Sequence, residues 1–439
     1  MTTTASLIEA GDTRWDTARA AWNLAVDQRP GAIATPASAE GVAAAVRAAA
    51  ERGLRVVVQN TGHAAGRIPI DERALLLRTG GLDRVEIDPG ARVARIGGGV
   101  QWGAVVTAAA EHGLAPAAGS SPLVGAVGYL LGGGHGWLGS RHGLAANDLL
   151  AVEVVTADGA TVHLDDEVDA EAMWALRGGG GGWAVVTAAE VGLHPLGGIA
   201  GGSLMYPEER AGEVLEAWRA WSANLPEGVT TIGRVLRFPP VEPVPEPLRG
   251  RSFAIVEAVD LDGPERLAGL LAALRDLEPA MDTVRPMVGT DLPTVHMDPP
   301  EPVPAVGGGM LLGTLPADAL AAVVAAVVEG PGEALIGAEV RRLGGPVARA
   351  RAEGGACATS AEAAVFAVGV AASPDLAAAS KAGVDAVRSA AGPWAAGHGL
   401  PNLAAESDPM ASIFPPDDLA RLTAVADRFD PDGRFVRRP

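Results

Sequence analysis

The placement of glycine constrains this chain more than any other feature. Glycine accounts for 58 of 439 residues, concentrated in the first half. In "GSSPLVGAVGYLLGGGHGWLGSRHGL" (119–144), glycines 125, 128, 132, 133, 134 and 136 fall too densely for a helix or strand interior. There each would cost about 0.5 to 1 kcal/mol against alanine. Three further stretches carry glycine: "QNTGHAAGR" (59–67), "IGGGVQWG" (96–103) and "RGGGGGW" (177–183). Any one could be a flexible surface turn. Four in series weaken that reading, so something must approach the backbone closely.

The elements around these stretches support a ligand. "SAEGVAAAVRAAAERG" has helical spacing, with Ser38 as cap and Gly53 as stop, and the strand "LRVVV" then delivers the chain into Gln59–Ala65. Two strands joined at "DPG" precede the second run, a helix over Trp102–His112 follows it, and the third cluster ends in a hairpin turning at "ADG", residues 157–159. Glycine loops after strands expose successive N–H groups that suit a pyrophosphate, and small residues let a flat ring lie on the main chain. A dinucleotide is the economical ligand. No cluster has the strand, helix and trailing acid of a G-x-G-x-x-G site, and no P-loop is present.

Length and charge set the outer limits. A chain of 439 residues exceeds one hydrophobic core, so two domains are expected. The net charge of −19 without a basic cluster argues against a nucleic-acid partner. No leader is read at the N-terminus and no apolar run approaches the roughly 18 residues of a membrane helix, which leads us to expect a cytoplasmic protein with no membrane partner. Cys357 is the only cysteine, so an internal disulfide is excluded and no metal site is expected.

From about residue 30 onward the chain resembles the berberine-bridge-enzyme-like branch of the vanillyl-alcohol oxidase superfamily, the flavoproteins with a PCMH-type FAD-binding domain. The resemblance is carried by "GHAAGR", by "SSPLVGAVGYLLGGGHGWLGSRHGLAANDLLAVEVVTADG", by "MWALRGGGGGWAVVT" and by "RFDPDGRF". It implies an α+β fold, with a two-lobed FAD domain over 1–199, an inserted substrate domain over 200–396 and a C-terminal segment, 397–439, returning to the FAD domain. The middle of the chain reads compatibly. "GGSLMYP", "TTIGRVLRFPP", "RSFAIVEAVDL", "ALIGAEVRRLGG" and "AAVFAVGVAA" have strand character and alternate with helix-like segments, which suggests an antiparallel sheet covered by helices.

The resemblance also assigns residues. FAD is the implied cofactor, and His63 matches the histidine joined to its 8α-methyl; the alternative is a histidine that hydrogen-bonds within a tight loop. Asn60, Thr61, Gly62, Ala64 and Ala65 would hold the pyrophosphate. Gly119, Ser120, Ser121, Val124, Gly125, Gly128, Gly132, Gly133 and Gly134 would line the ring system, and Val154 lies on the strand that meets the adenine. Ser121 stands where relatives have a second, cysteinyl link, so no such bond is expected. Tyr129 would lie near the flavin ring or pack under the glycine turn. His135 and His142 receive no catalytic role, and Asn147 reads as structural.

Relatives that oxidise alcohols carry Y-x-N near the C-terminus; here the stretch is Leu400, Pro401, Asn402. Asn402 matches, but leucine cannot take a proton. Another base could come from the substrate sheet, where alternation puts Glu339 and Arg341 on one face. That face could equally be solvated. Arg234, Arg237, Glu257 and His296 are further candidates, with Glu339 and His296 singled out for test. The expected function is an FAD-dependent oxidoreductase passing electrons from a small, hydrophobic secondary metabolite to oxygen or another acceptor. The alternative is a cyclase or desaturase in which the flavin is partly or wholly structural.

Overall fold

The computed structural model describes residues 6–242, 244–344, 347 and 354–438. The N-terminal residues 1–5, read above for a leader, and Gly345, which closes the strand-like "ALIGAEVRRLGG", lie outside the described residues.

The first lobe is a small parallel sheet. Ala32–Ala34, Ala74–Arg78 and Arg55–Gln59 pair in parallel, with Leu7–Ile8 antiparallel at the edge. The helix Ala39–Glu51 is capped by Ser38, whose hydroxyl accepts from the Gly41 N–H at 3.2 Å. Its face of Val42, Ala45, Val46 and Ala49 packs on Val56, Leu75 and Leu77. These helical and strand spacings are the ones legible in the sequence.

The second lobe is an antiparallel five-stranded sheet in the order Val85–Asp88, Val93–Gly97, Val185–Gly192, Leu149–Val155, Thr161–Asp165. The helix Trp102–Ala110 and the C-terminal helix Pro416–Phe429 contribute to its core through Trp102, Val105, Leu422 and Val425. The chain then crosses to the first lobe. Val56 N–H donates to the Arg434 carbonyl at 2.8 Å, Val436 N–H donates to the Val56 carbonyl at 2.9 Å, and Phe435 is buried between them.

The third layer is a wide antiparallel sheet running Met281–Asp282, Ile199–Pro207, Ser252–Asp260, Val229–Arg237, Gly337–Arg342, Ala363–Val370, Ala305–Leu312, with Arg285–Met287 also on Ile199–Pro207. Alternation along the strands makes its two faces unlike. Val235, Val256, Val340 and Val365 point to the covering helices Ala211–Ser222, Ala317–Val328 and Pro374–Ala391. Arg234, Glu257, Glu339 and Arg341 point the other way and are buried or nearly so, so this face is not solvated. The fold is α+β, with the antiparallel sheet and helix cover expected from the sequence.

Three central-domain strands escaped the sequence reading, the short Met281–Asp282 and Arg285–Met287 and the longer Ala305–Leu312. Ala305–Leu312, "AVGGGMLL", looks like a loop because of its three glycines. It is a strand because those glycines admit close neighbours. A Cβ on Gly309 would collide with the Val365 carbonyl, and one on Gly308 would collide with Ala405 of the returning C-terminal segment.

Candidate active site

The lobes and the sheet enclose one continuous cavity of about 1470 Å³. One end is made of the glycine turns and the other of the charged face of the antiparallel sheet.

At the glycine end, the strand Arg55–Gln59 aims the loop 60–65 along the cavity wall. The preceding segment grips that loop: Trp22 N–H donates to the Thr61 carbonyl at 2.9 Å, and the Trp22 ring stacks on His63 with centroids 4.4 Å apart. Thr61 Oγ1 lies 2.8 Å from His63 Nδ1. Burial pulls the His63 pKa down to about 4, with partial opposition from Asp298, so the ring is neutral at neutral pH.

Arg67, Asn402 and Tyr129 tie three remote segments together. The buried Arg67 guanidinium donates to the Asn402 carbonyl at 3.0 Å and to that of Pro401. Asn402 Nδ2 donates to the Tyr129 carbonyl at 2.9 Å. The Tyr129 ring meets Trp102 edge-on and fills the space where Gly134, at φ +72°, lacks a Cβ. Burial raises the Tyr129 hydroxyl above its ordinary range, so it stays protonated, and its oxygen has no hydrogen-bond partner.

The sheet end is a buried ionic chain. Arg234 Nη2 lies 2.5 Å from Glu257 Oε1. His296 sits between two carboxylates, with Nδ1 2.7 Å from Glu257 and Nε2 3.1 Å from Glu339. Arg341 Nε donates to the other Glu339 oxygen at 2.7 Å, and its Nη1 donates to the His135 carbonyl at 3.1 Å. Burial and Arg234 push the His296 pKa down, but Glu257 and Glu339 outweigh them and hold it at about 9. Burial would raise Glu339; Arg341 and His296 outweigh it and keep the carboxyl far below the usual range. Glu339 is therefore a clamped carboxylate and His296 a clamped imidazolium, and both are poor proton acceptors near neutrality.

Most sequence-selected residues meet at this cavity. Asn60, Thr61, Gly62, His63, Ala64, Ala65, Gly119, Ser120, Ser121, Val124, Gly125, Gly128, Tyr129, Gly132, Gly134, Glu339, His296 and Asn402 line it. Two selected residues do not. Gly133 faces Leu400 and Cys357, and Val154 is wholly buried in the core; the cavity wall is formed instead by its neighbour across the strand pair, Val186, and by Ala184 just ahead of that strand. Arg237 is held at the sheet rim by Glu208 and the Gly332 and Leu335 carbonyls. His135 lines the cavity, neutral because burial and then Arg341 lower its pKa to about 3. His142 stacks on His194 away from the cavity. Asn147, also outside the cavity, caps a turn through its N–H to the Leu144 carbonyl. Trp22, Arg67, Asp298, Arg437 and Arg438 were missed; Arg67 closes the motif "GHAAGR" but was given no role, and the other four lie outside the quoted motifs and reach the wall only through folding.

A glycine-walled chamber of this size, with backbone turns at one end and a shaped apolar middle, fits a flavin dinucleotide. The sequence comparisons agree. A family model described as an FAD binding domain matches residues 30–165. The chain is 38% identical over 179 residues to glucooligosaccharide oxidase of Sarocladium strictum and 37% over 190 to (R)-6-hydroxynicotine oxidase of Paenarthrobacter nicotinovorans. These stretches cover 40% and 43% of this chain but only 36% and 42% of those relatives. Among solved structures, 6-hydroxy-D-nicotine oxidase from Arthrobacter nicotinovorans aligns over 99% of this chain and 97% of its own, with a TM-score of 0.82 and 25% identity. BBE-like 1 of Physcomitrella patens aligns over 98% and 95%, with a TM-score of 0.83 and 18% identity.

Residues 30–165 thus carry an FAD binding domain, and the chain as a whole has the fold of 6-hydroxy-D-nicotine oxidase and BBE-like 1.

Proposed function

We propose that this protein is an FAD-dependent oxidoreductase, an oxidase or dehydrogenase, acting on a small, mostly hydrophobic metabolite, with the flavin held covalently through His63 alone. The observation that carries the reading is the single cavity joining the glycine turns to the charged sheet face. FAD, when bound, supplies the two-electron acceptor. We assign residues 1–199 and 397–439 to its domain and 200–396 to the substrate domain. The N–H groups of residues 60–65 would bind the pyrophosphate.

Several features of the chain support the finer points. His63 is neutral, so an imidazole lone pair would be available for a bond to the flavin's 8α carbon, the methyl proton being lost and the flavin reoxidised by the acceptor. A related glucooligosaccharide oxidase is described with a 6-S-cysteinyl, 8α-N1-histidyl FAD. Here Ser121 lines the cavity and cannot form a thioether. Cys357 is buried against Gly178, its thiol pushed up to about 12 by burial. For the substrate, Phe238, Val244, Leu248 and Phe366 form an apolar wall, while the neighbouring ionic groups largely satisfy one another. That wall suits an apolar body better than a free sugar. Electrons would pass to oxygen or another small acceptor.

Leu400 favours a second reading. It is buried at 3% exposure among Cys357, Leu311 and Leu343, so no hydroxyl base stands at that position. A cyclase or desaturase with a partly or wholly structural flavin would not need one. Purified protein should show flavin absorbance that stays with the acid-precipitated polypeptide. Anaerobic mixing with apolar alcohols and amines should bleach it. Substrate conversion without bleaching would select the second reading, and a protein that takes up no flavin would end both.

A further inference from the structure

We propose that Asp298 anchors the substrate, its carboxylate accepting a hydrogen bond from a hydroxyl or a protonated amine at the substrate's reacting end. This rests on reading the cavity as the substrate chamber of a flavin enzyme.

The first argument is accounting of charge. Along the sheet wall Arg234 pairs with Glu257, His296 bridges Glu257 and Glu339, and Arg341 pairs with Glu339. Asp298 lines the same cavity, yet its Oδ2 is covered without any donor. His63, Tyr129 and Arg341 are near enough to feel its charge. None of them hydrogen-bonds Oδ2, and the Tyr129 hydroxyl is likewise without a partner. A covered carboxylate oxygen without a donor is costly, so a ligand that supplies one gains by doing so.

The second argument is backbone strain. Met297 has φ +55°, in the left-handed region that a methionine seldom adopts. The other non-glycine residues with positive φ among those described, Arg92 and Glu278, lie in exposed turns. Met297 instead lies at the cavity, between two fixed points. Before it, His296 is held through both ring nitrogens, and its carbonyl accepts from Arg234 at 2.8 Å. After Asp298 come Pro299 and Pro300, whose rings fix the chain. A strained turn so over-determined delivers one carboxylate to one place, as a preorganised anchor requires. Leu400, which also lines the cavity, offers only methyl groups.

The test is calorimetric binding of benzylamine, benzyl alcohol and benzoate to the flavin-loaded protein and to D298N and D298A. Both donor probes should bind the parent protein more tightly than benzoate does. D298A should weaken both by about tenfold or more. D298N should lose the amine by a similar factor while retaining the alcohol, if the natural donor is a hydroxyl; loss confined to the amine in both variants assigns an ammonium. An unchanged flavin spectrum in the variants shows the chamber is intact. Equal binding of both donor probes to D298A and the parent, or no preference over benzoate, overturns the anchor. A parent protein that takes up no flavin overturns the enzymatic reading and the anchor with it, and this outcome is distinguished from failure of the anchor alone by the flavin spectrum of the parent recorded before any probe is added.

Discussion

Replacing His63 with alanine removes the proposed attachment nitrogen and the ring stacked on Trp22, but leaves the loop's backbone gripped by Trp22 and Asn23. Flavin should therefore still bind, and after acid precipitation it should appear in the supernatant rather than with the protein. Flavin fluorescence of the two fractions measures this directly. His63, Tyr129 and Asn402 were legible because each lies inside a short motif whose local sequence sets its surroundings. Asp298 was not: "HMDPP" has no pattern, and its meaning comes from the fixed His296 before it and the cavity beside it.

At the scale of elements, alternation placed Glu339 and Arg341 on one face, but a strand cannot say what covers that face. His296, arriving from a loop, turns the strands Ser252–Asp260 and Gly337–Arg342 into one ionic unit. This unit gives stability a pH signature. His296 titrates near 6.5 when unfolded and near 9 when folded, so its contribution is full below about 6.5 and is lost as pH rises through about 9. Chemical denaturation across that window should show falling stability in the parent protein and a flatter profile in H296Q. The strand Ala305–Leu312 makes a second case, since its glycines hide it from propensity while serving its packing. G309V drives a side chain into the Val365 carbonyl and should cost about 1 to 3 kcal/mol, read as a lowered denaturation midpoint.

Across the whole molecule, the fold class was readable from motif order, whereas the joins between lobes were not, because they link residues hundreds of positions apart. Arg67 binds Asn402, Asn23 pairs with Ala305, and Phe435 fills the first lobe beside Val56. F435A should cost about 3 to 5 kcal/mol and reduce retained flavin, both measurable on the purified variant. The same segment does two jobs at once. Val436, Arg437 and Arg438 form part of the cavity wall while Phe435 beside them fills the first-lobe core. A proteolytic cut just ahead of Phe435 would therefore unseal the chamber and loosen the lobe in a single event, so stability and cofactor retention should be lost together.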